Sequence, residues 1–245
     1  MWDRKQLKAR GKAAFKANYW RCVLVALILS ILVGGSGVYS SLHTRQNLYE
    51  EQQQAVQNLE DTYAGLDQQE QVIVARIIAG TVSAVLGVSF LLSILIFNPL
   101  QVGGYRFFRK NSQSPADLEE LGYGFRSGYG RVVKTMLLTD VFLILWSLLF
   151  ILPGLVKSYS YRMVPYLLSD EPELEGRAAI DRSRQMMNGH KWRTFVLDLS
   201  FLLWDLLSVL TLGLVGVFYA FPYQFATGAE LYQELKRLEG TGSVL

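Results

Sequence analysis

Long apolar runs, fenced by short clusters of charge, constrain this chain more than any other feature. The runs are 15 to 26 residues long, and about 20 apolar residues carry a helix across the hydrocarbon core of a bilayer. Asp, Glu, Lys and Arg make up 18% of the 245 residues, below the roughly 25% of soluble domains. Where no water reaches the backbone, helices satisfy their own N–H and C=O groups. The expectation is an all-α membrane protein, a single polytopic domain over residues 1–245.

Six spans are expected, at about 22–40, 72–97, 132–152, 155–169, 195–212 and 213–231. The first has a basic head and ends in Gly34-Gly35-Ser36-Gly37, as a signal peptide would. Its long helical head and the spans that follow favour a retained anchor. The fourth is the shortest, about 23 Å at helical rise, and it contains Lys157 and Arg162. Charge bias supports the count. Seven Lys and Arg lie in 1–21, six in 98–134, five in 170–194 and two after the last span, out of 24 in all. The segment 41–71 holds only Arg45, against six acidic residues. Positive residues stay on the cytoplasmic side, so both termini are expected there. Without a crossing at 155–169 the basic segment 170–194 would lie outside.

The chain reads as three helical hairpins, each preceded by a cytoplasmic amphipathic segment. Asn18-Tyr19-Trp20-Arg21, Gly128-Tyr129-Gly130-Arg131 and Gly189-His190-Lys191-Trp192-Arg193 introduce the odd spans. Asn98-Pro99-Leu100-Gln101, Val164-Pro165-Tyr166 and Phe221-Pro222-Tyr223-Gln224 close the even ones. An internal repeat would explain this, as in many transport folds. Convergent interface chemistry would too, because aromatics and cations gather at headgroups. In the first amphipathic segment, Leu7, Gly11, Ala14 and Phe15 share a face, with Arg4, Lys5, Lys8, Lys12 and Lys16 mostly elsewhere. Such a helix suits an anionic membrane surface, or serves only as a topology anchor. The second segment opens at Ser114-Pro115-Ala116-Asp117, an N-cap with proline at the first helical position. The third is a helix from Glu173 to Met187, stopped by Asn188-Gly189.

Three charges fall near mid-bilayer: Asp140, Arg162 and Asp205. Each would cost about 2.5–3.5 kcal/mol if left facing lipid, so Arg162 is expected to pair with Asp140 or Asp205. Such a network is either a polar pathway or headgroup pocket, or a buried ion pair that fixes helix register. Asp198 shares the face of Asp205 but lies closer to Lys191 and Arg193. Ala75, Ala79, Ser83 and Gly87 recur every fourth residue, a small-residue stripe on which another helix can pack closely.

Catalytic signatures are missing. Gly122, Gly124, Gly128 and Gly130 depart from a phosphate loop, since Ser127 stands where the third glycine belongs. They suit a flexible re-entry into the third span. One cysteine, Cys22, and two histidines, His43 and His190, give no zinc set of usual composition. The sequence has no GxSxG motif. No catalytic constellation, metal or other cofactor is expected.

The stretches Leu155-Val-Lys157-Ser-Tyr-Ser-Tyr161-Arg-Met-Val-Pro165-Tyr166 and Ala179-Ile-Asp-Arg-Ser183-Arg-Gln-Met186-Met187-Asn188-Gly189-His190-Lys191-Trp192 resemble a family of uncharacterised bacterial integral membrane proteins. Its members come mainly from Gram-positive bacteria and carry a domain of unknown function. Lys5-Gln6-Leu7-Lys8, Ala13-Ala14-Phe15-Lys16 and Phe221-Pro222-Tyr223 are similar too. The resemblance extends to the membrane domain found beside some glycerophosphodiester phosphodiesterases, whose catalytic domain has no counterpart here. It implies a fold and a place in the bacterial cytoplasmic membrane, with no activity to carry over. The function expected is non-enzymatic binding of lipid, with anionic headgroups on the cytoplasmic side, or of a membrane partner protein. The alternative is a transporter or channel for a small or anionic solute. Nucleic acid is not an expected partner.

Overall fold

The computed structural model describes residues 2–34, 57–58 and 65–242, and among these the chain is helical with no strand. Helix α1 is Arg4–Ala17, started by the Asp3 carboxylate, which accepts from the Lys5 N–H. Helix α2, Tyr19–Gly34, follows at a 108° bend. Helix α3, Gln68–Leu92, begins at a capping box between Asp67 and Glu70. It passes through a wide π-type turn, Ser93–Phe97, into α4, Asn98–Asn111. A 3-10 turn, Leu118–Gly122, and the short α5, Tyr123–Arg126, lead to α6, Tyr129–Leu149. Then come α7 (Ile151–Tyr161), α8 (Val164–Asp170), α9 (Gly176–Met186), α10 (Lys191–Leu199) and α11 (Leu202–Leu210). A second π-type turn, Gly216–Ala220, opens into α12, Phe221–Gly242.

Two helical runs are long and apolar enough to cross a membrane, Gln68–Asn111 and Tyr129–Leu149, and a third if the bent pair α1–α2 counts as one. The segments expected as fourth and fifth spans are interrupted instead, at Arg162-Met163 and at Ser200-Phe201. Pro165 explains the first break: its ring clashes with the carbonyl four residues back and it has no N–H to donate. The end of the expected first span, 35–40, and most of the segment 41–71 lie outside the described residues.

Prolines set the architecture through the carbonyls they leave unpaired. Pro99 cannot donate to Leu95, and the Tyr129 hydroxyl donates to that oxygen at 2.9 Å instead. Pro222 cannot donate to Phe218, and the Tyr19 hydroxyl takes that place at 3.0 Å. At the third proline, Ser183 bridges the break, its hydroxyl donating to Ser160 O at 2.8 Å and accepting from Met163 N–H at 3.1 Å. A wide turn precedes two of these prolines, where the ladder loosens.

The three proline-opened helices, α4, α8 and α12, meet at the centre. Tyr166 of α8 stacks on Tyr232 of α12 with ring centroids 5.1 Å apart and meets Tyr105 of α4 edge-on at 4.7 Å. Around this centre, α2 packs on α12, α6 on α4, and α10 on α7, which leads into α8. The amphipathic segments pack there as well: α1 on α12, the 118–126 segment on α4, and α9 on α8.

These contacts correct two expectations. The apolar face of α1 covers protein rather than membrane: Leu7, Gly11 and Phe15 are buried, and a Cβ at Gly11 would meet Thr227 of α12 at 2.7 Å. Arg4, Lys5, Lys12 and Lys16 remain exposed, whereas Lys8 turns inward to the Ser200 carbonyl and hydroxyl, both at 3.1 Å. Two of the glycines at 122–130 have a structural use, one in close packing and one in a turn. Any Cβ at Gly124 would collide with the Pro99 carbonyl, and Gly128, at φ 69°, turns the chain into α6.

Apolar surface is sorted to one region. Leu7, Phe107, Phe108, Met163, Tyr166 and Tyr232 fill the core, while large apolar side chains stand exposed along 72–97, 141–156 and 199–218. A water-soluble protein rarely leaves so much contiguous apolar surface bare, and in a bilayer it needs no cover. The stripe Ala75, Ala79, Ser83 and Gly87 lies on this exposed part of α3, with nothing within 4 Å of a Cβ at Gly87. It therefore packs no helix among the described residues.

Candidate functional site

Arg162 stands at the interruption that Pro165 forces, so its side chain leaves the line of α7 and turns towards α10. There it forks onto Asp198, both guanidinium ends bonded, with the Nη2–Oδ1 distance 3.0 Å. Tyr159, one turn earlier on α7, donates its hydroxyl to the same carboxylate at 2.9 Å. Bidentate pairing of this kind is strong and geometrically selective. The pair forms one wall of a cleft of about 360 Å³ whose other walls include Tyr105, Tyr166 and Gln224. A second hollow of about 290 Å³ adjoins it, lined by apolar groups and Lys191, and the two share Leu155 and Tyr159.

The three expected mid-bilayer charges are kept apart. Arg162 pairs with Asp198, not with Asp140 or Asp205. Asp140 accepts from the Asn98 amide at 2.9 Å, and Asp205 from Gln224 at 2.6 Å. The break at Ser200-Phe201 separates Asp198 and Asp205 into different helices, and that leaves Asp198 facing Arg162. Each aspartate is met by a polar residue within three positions of a proline: Asn98 by Pro99, Arg162 by Pro165, Gln224 by Pro222. This recurrence was visible in the sequence only as three prolines with polar neighbours. Lys191 and Arg193, the nearer cations by sequence, face elsewhere: Lys191 lines the apolar hollow and Arg193 lies over the Trp2 ring.

A second polar cluster gave no sequence signal beyond its charges. The Asp170 carboxylate receives Arg109 at 2.8 Å, the Tyr232 hydroxyl at 2.8 Å and Lys236. Burial alone would raise the Asp170 pKa, but hydrogen bonds from Lys236 and Tyr232, with the Arg109 charge, hold it below the usual aspartate value. Beside it, arginines collar the C-terminal end of α8. Arg106 donates to the Ser169 carbonyl, and Arg131 donates to Leu168 at 3.0 Å and Leu174 at 2.7 Å. A helix end leaves carbonyls unpaired and partly negative, so basic residues counted towards topology also cap α8. Arg106 and Lys110 further hold Glu120, whose pKa they bring below the usual value against the opposing effect of burial.

At the chain's beginning, the Trp2 indole N–H donates to His190 Nδ1 at 3.2 Å. Burial and the neighbouring Arg193 charge lower the His190 pKa, which favours the neutral ring that this bond requires. Among the described residues, no group of three or more His, Cys, Asp or Glu side chains is placed to hold a metal ion.

Residues 131–239 match a protein family described as a protein of unknown function, DUF975. The match takes in both long stretches, 155–166 and 179–192, that carried the resemblance in sequence, whereas the stretch 5–16 lies outside it. No curated protein and no solved structure matches the chain.

The pairing gives a direct test. Arg162→Leu leaves Asp198 without its cation, with only the Tyr159 hydroxyl on its carboxylate, and should lower the unfolding temperature in detergent. Arg162→Leu/Asp198→Leu should recover much of the loss, since an apolar pair removes the stranded charge. Neither Asp140→Leu nor Asp205→Leu should rescue Arg162→Leu. Rescue by either would show that the pair is not the one described.

Proposed function

We propose that this chain is a multi-pass, non-enzymatic protein of the bacterial cytoplasmic membrane that binds lipid. Support comes chiefly from the joined hollows: a cleft carrying Arg162, Asp198 and three tyrosines opens directly beside an apolar groove. Amphiphiles have the same two-part character, and both parts open beside the exposed apolar surface of α7. The six-span topology, with both termini inside, remains the arrangement proposed. Interrupted helices are compatible with it where other side chains satisfy the freed backbone groups, as Lys8 and Ser183 do here. Transport of a small or anionic solute is the competing function, favoured by the polar side chains within the cleft.

Native mass spectrometry of the detergent-purified protein should find bound phospholipid that survives mild delipidation. Ser158→Trp, which places an indole in the cleft at an exposed position, should reduce its occupancy. Absence of bound lipid, together with solute flux in proteoliposomes, would favour transport instead. Cysteines introduced at 50–68 should react with an impermeant reagent from outside, and those at 175–190 should not. Outside labelling at 175–190 would overturn the six-span arrangement.

A further inference from the structure

Many basic side chains have a carboxylate partner: Arg10, Arg21, Arg106, Arg109, Lys110 and Arg162 all sit in ion pairs. At one place three cations gather outside any such pair. The first turns of α1 and α10 meet around a hollow of about 340 Å³ lined by Arg4, Lys5, Arg193 and the indoles of Trp2 and Trp192. Among the described residues, none of the three cations is in an ion pair, and the one acid in the lining, Asp3, caps the Lys5 N–H. One guanidinium nitrogen of Arg193, Nη1, is buried with no hydrogen-bond partner among those residues. Buried donors are nearly always satisfied, and three cations facing the single carboxylate of Asp3 leave the hollow with an excess of positive charge. The arrangement lacks an anion with several acceptor oxygens.

Trp192 has a second neighbour that narrows the choice. It also lines the apolar groove formed with Leu155, Val156, Tyr159 and Phe195. One indole therefore separates a cationic hollow from an apolar one. Tryptophan takes this position at membrane interfaces, where one side is wet and the other is hydrocarbon.

We propose that an anionic phospholipid is held here, its phosphate group among Arg4, Lys5 and Arg193 and an acyl chain in the groove beyond Trp192. This rests on the lipid-binding function proposed above and adds the class of lipid and the residues that select it. A phosphate surrounded by arginine and lysine gains charge-assisted bonds that a zwitterionic headgroup gives up in part to its own ammonium.

The test uses full-length protein in detergent, titrated with dihexanoyl phosphatidylglycerol, dihexanoyl phosphatidylcholine and inorganic phosphate, with the unfolding temperature and tryptophan emission as readouts. Phosphatidylglycerol should bind saturably and more tightly than phosphatidylcholine. Lys5→Gln, at an exposed position, and Arg193→Gln should each weaken it by about fivefold, the scale of one interfacial charge. Phosphatidylcholine binding should change little, and Arg193→Lys should restore part of the loss. Val156→Trp should weaken phosphatidylglycerol by filling the groove. Inorganic phosphate binding as tightly as phosphatidylglycerol would overturn the lipid as occupant. Equal binding of both lipids, unmoved by Lys5→Gln, would overturn the anionic site and leave lipid binding standing. Binding of neither lipid would overturn both.

Discussion

A carbonyl that proline leaves without a donor, and a hydroxyl from elsewhere in the chain that supplies one, is the interaction on which this fold depends. In water such a carbonyl is hydrated at little cost. Beside the exposed apolar surface of α3 or α11 it has no such recourse, and leaving it bare costs several kcal/mol. Tyr129 therefore has to reach Leu95, and Tyr19 has to reach Phe218. Each bond fixes the start of one helix against the end of another. The aromatic residues that introduce two of the apolar runs thus do more than sit at headgroup level. They lock α6 onto α4 and α2 onto α12.

The charged groups follow from the same breaks. Asn98, Arg162 and Gln224 lie beside the prolines, and each engages one aspartate of a neighbouring helix. The Arg162–Asp198 pair has structural use as a clamp between α7 and α10. It also stands in the wall of the cleft, where a ligand would meet it.

The helical class and the apolar segments were legible from run length and charge clustering, signals that depend only on composition along the chain. The breaks at Arg162-Met163 and Ser200-Phe201 were harder to see. Pro165 announced the first, but nothing near Ser200 distinguishes it from a residue inside a helix. Ser200 is held by Lys8, 192 positions away in sequence. The same distance effect hid the true partner of Arg162: depth along unbroken helices favoured Asp140 or Asp205, and the break placed Asp198 opposite. Of the basic residues of α1, Arg4, Lys5, Lys12 and Lys16 are exposed and Lys8 turns inward. The apolar face of that helix was assigned to membrane because periodicity shows that a face is buried and not what covers it. The Asp170 cluster, built from three separate helices, left no local pattern at all.

A double-mutant cycle between Tyr129 and Pro99 tests the central interaction most directly. Tyr129→Phe removes the hydroxyl while keeping the ring, and Pro99→Ala restores a backbone N–H able to serve Leu95. With Pro99 in place, Tyr129→Phe should cost about 1–3 kcal/mol, the scale of an acceptor left unsatisfied where lipid excludes water, read from reversible unfolding in mixed micelles. In the Pro99→Ala background the same substitution should cost close to nothing, because the carbonyl already has its donor. An equal cost in both backgrounds would show that the tyrosine hydroxyl does not stand in for the missing N–H, and would contradict the account.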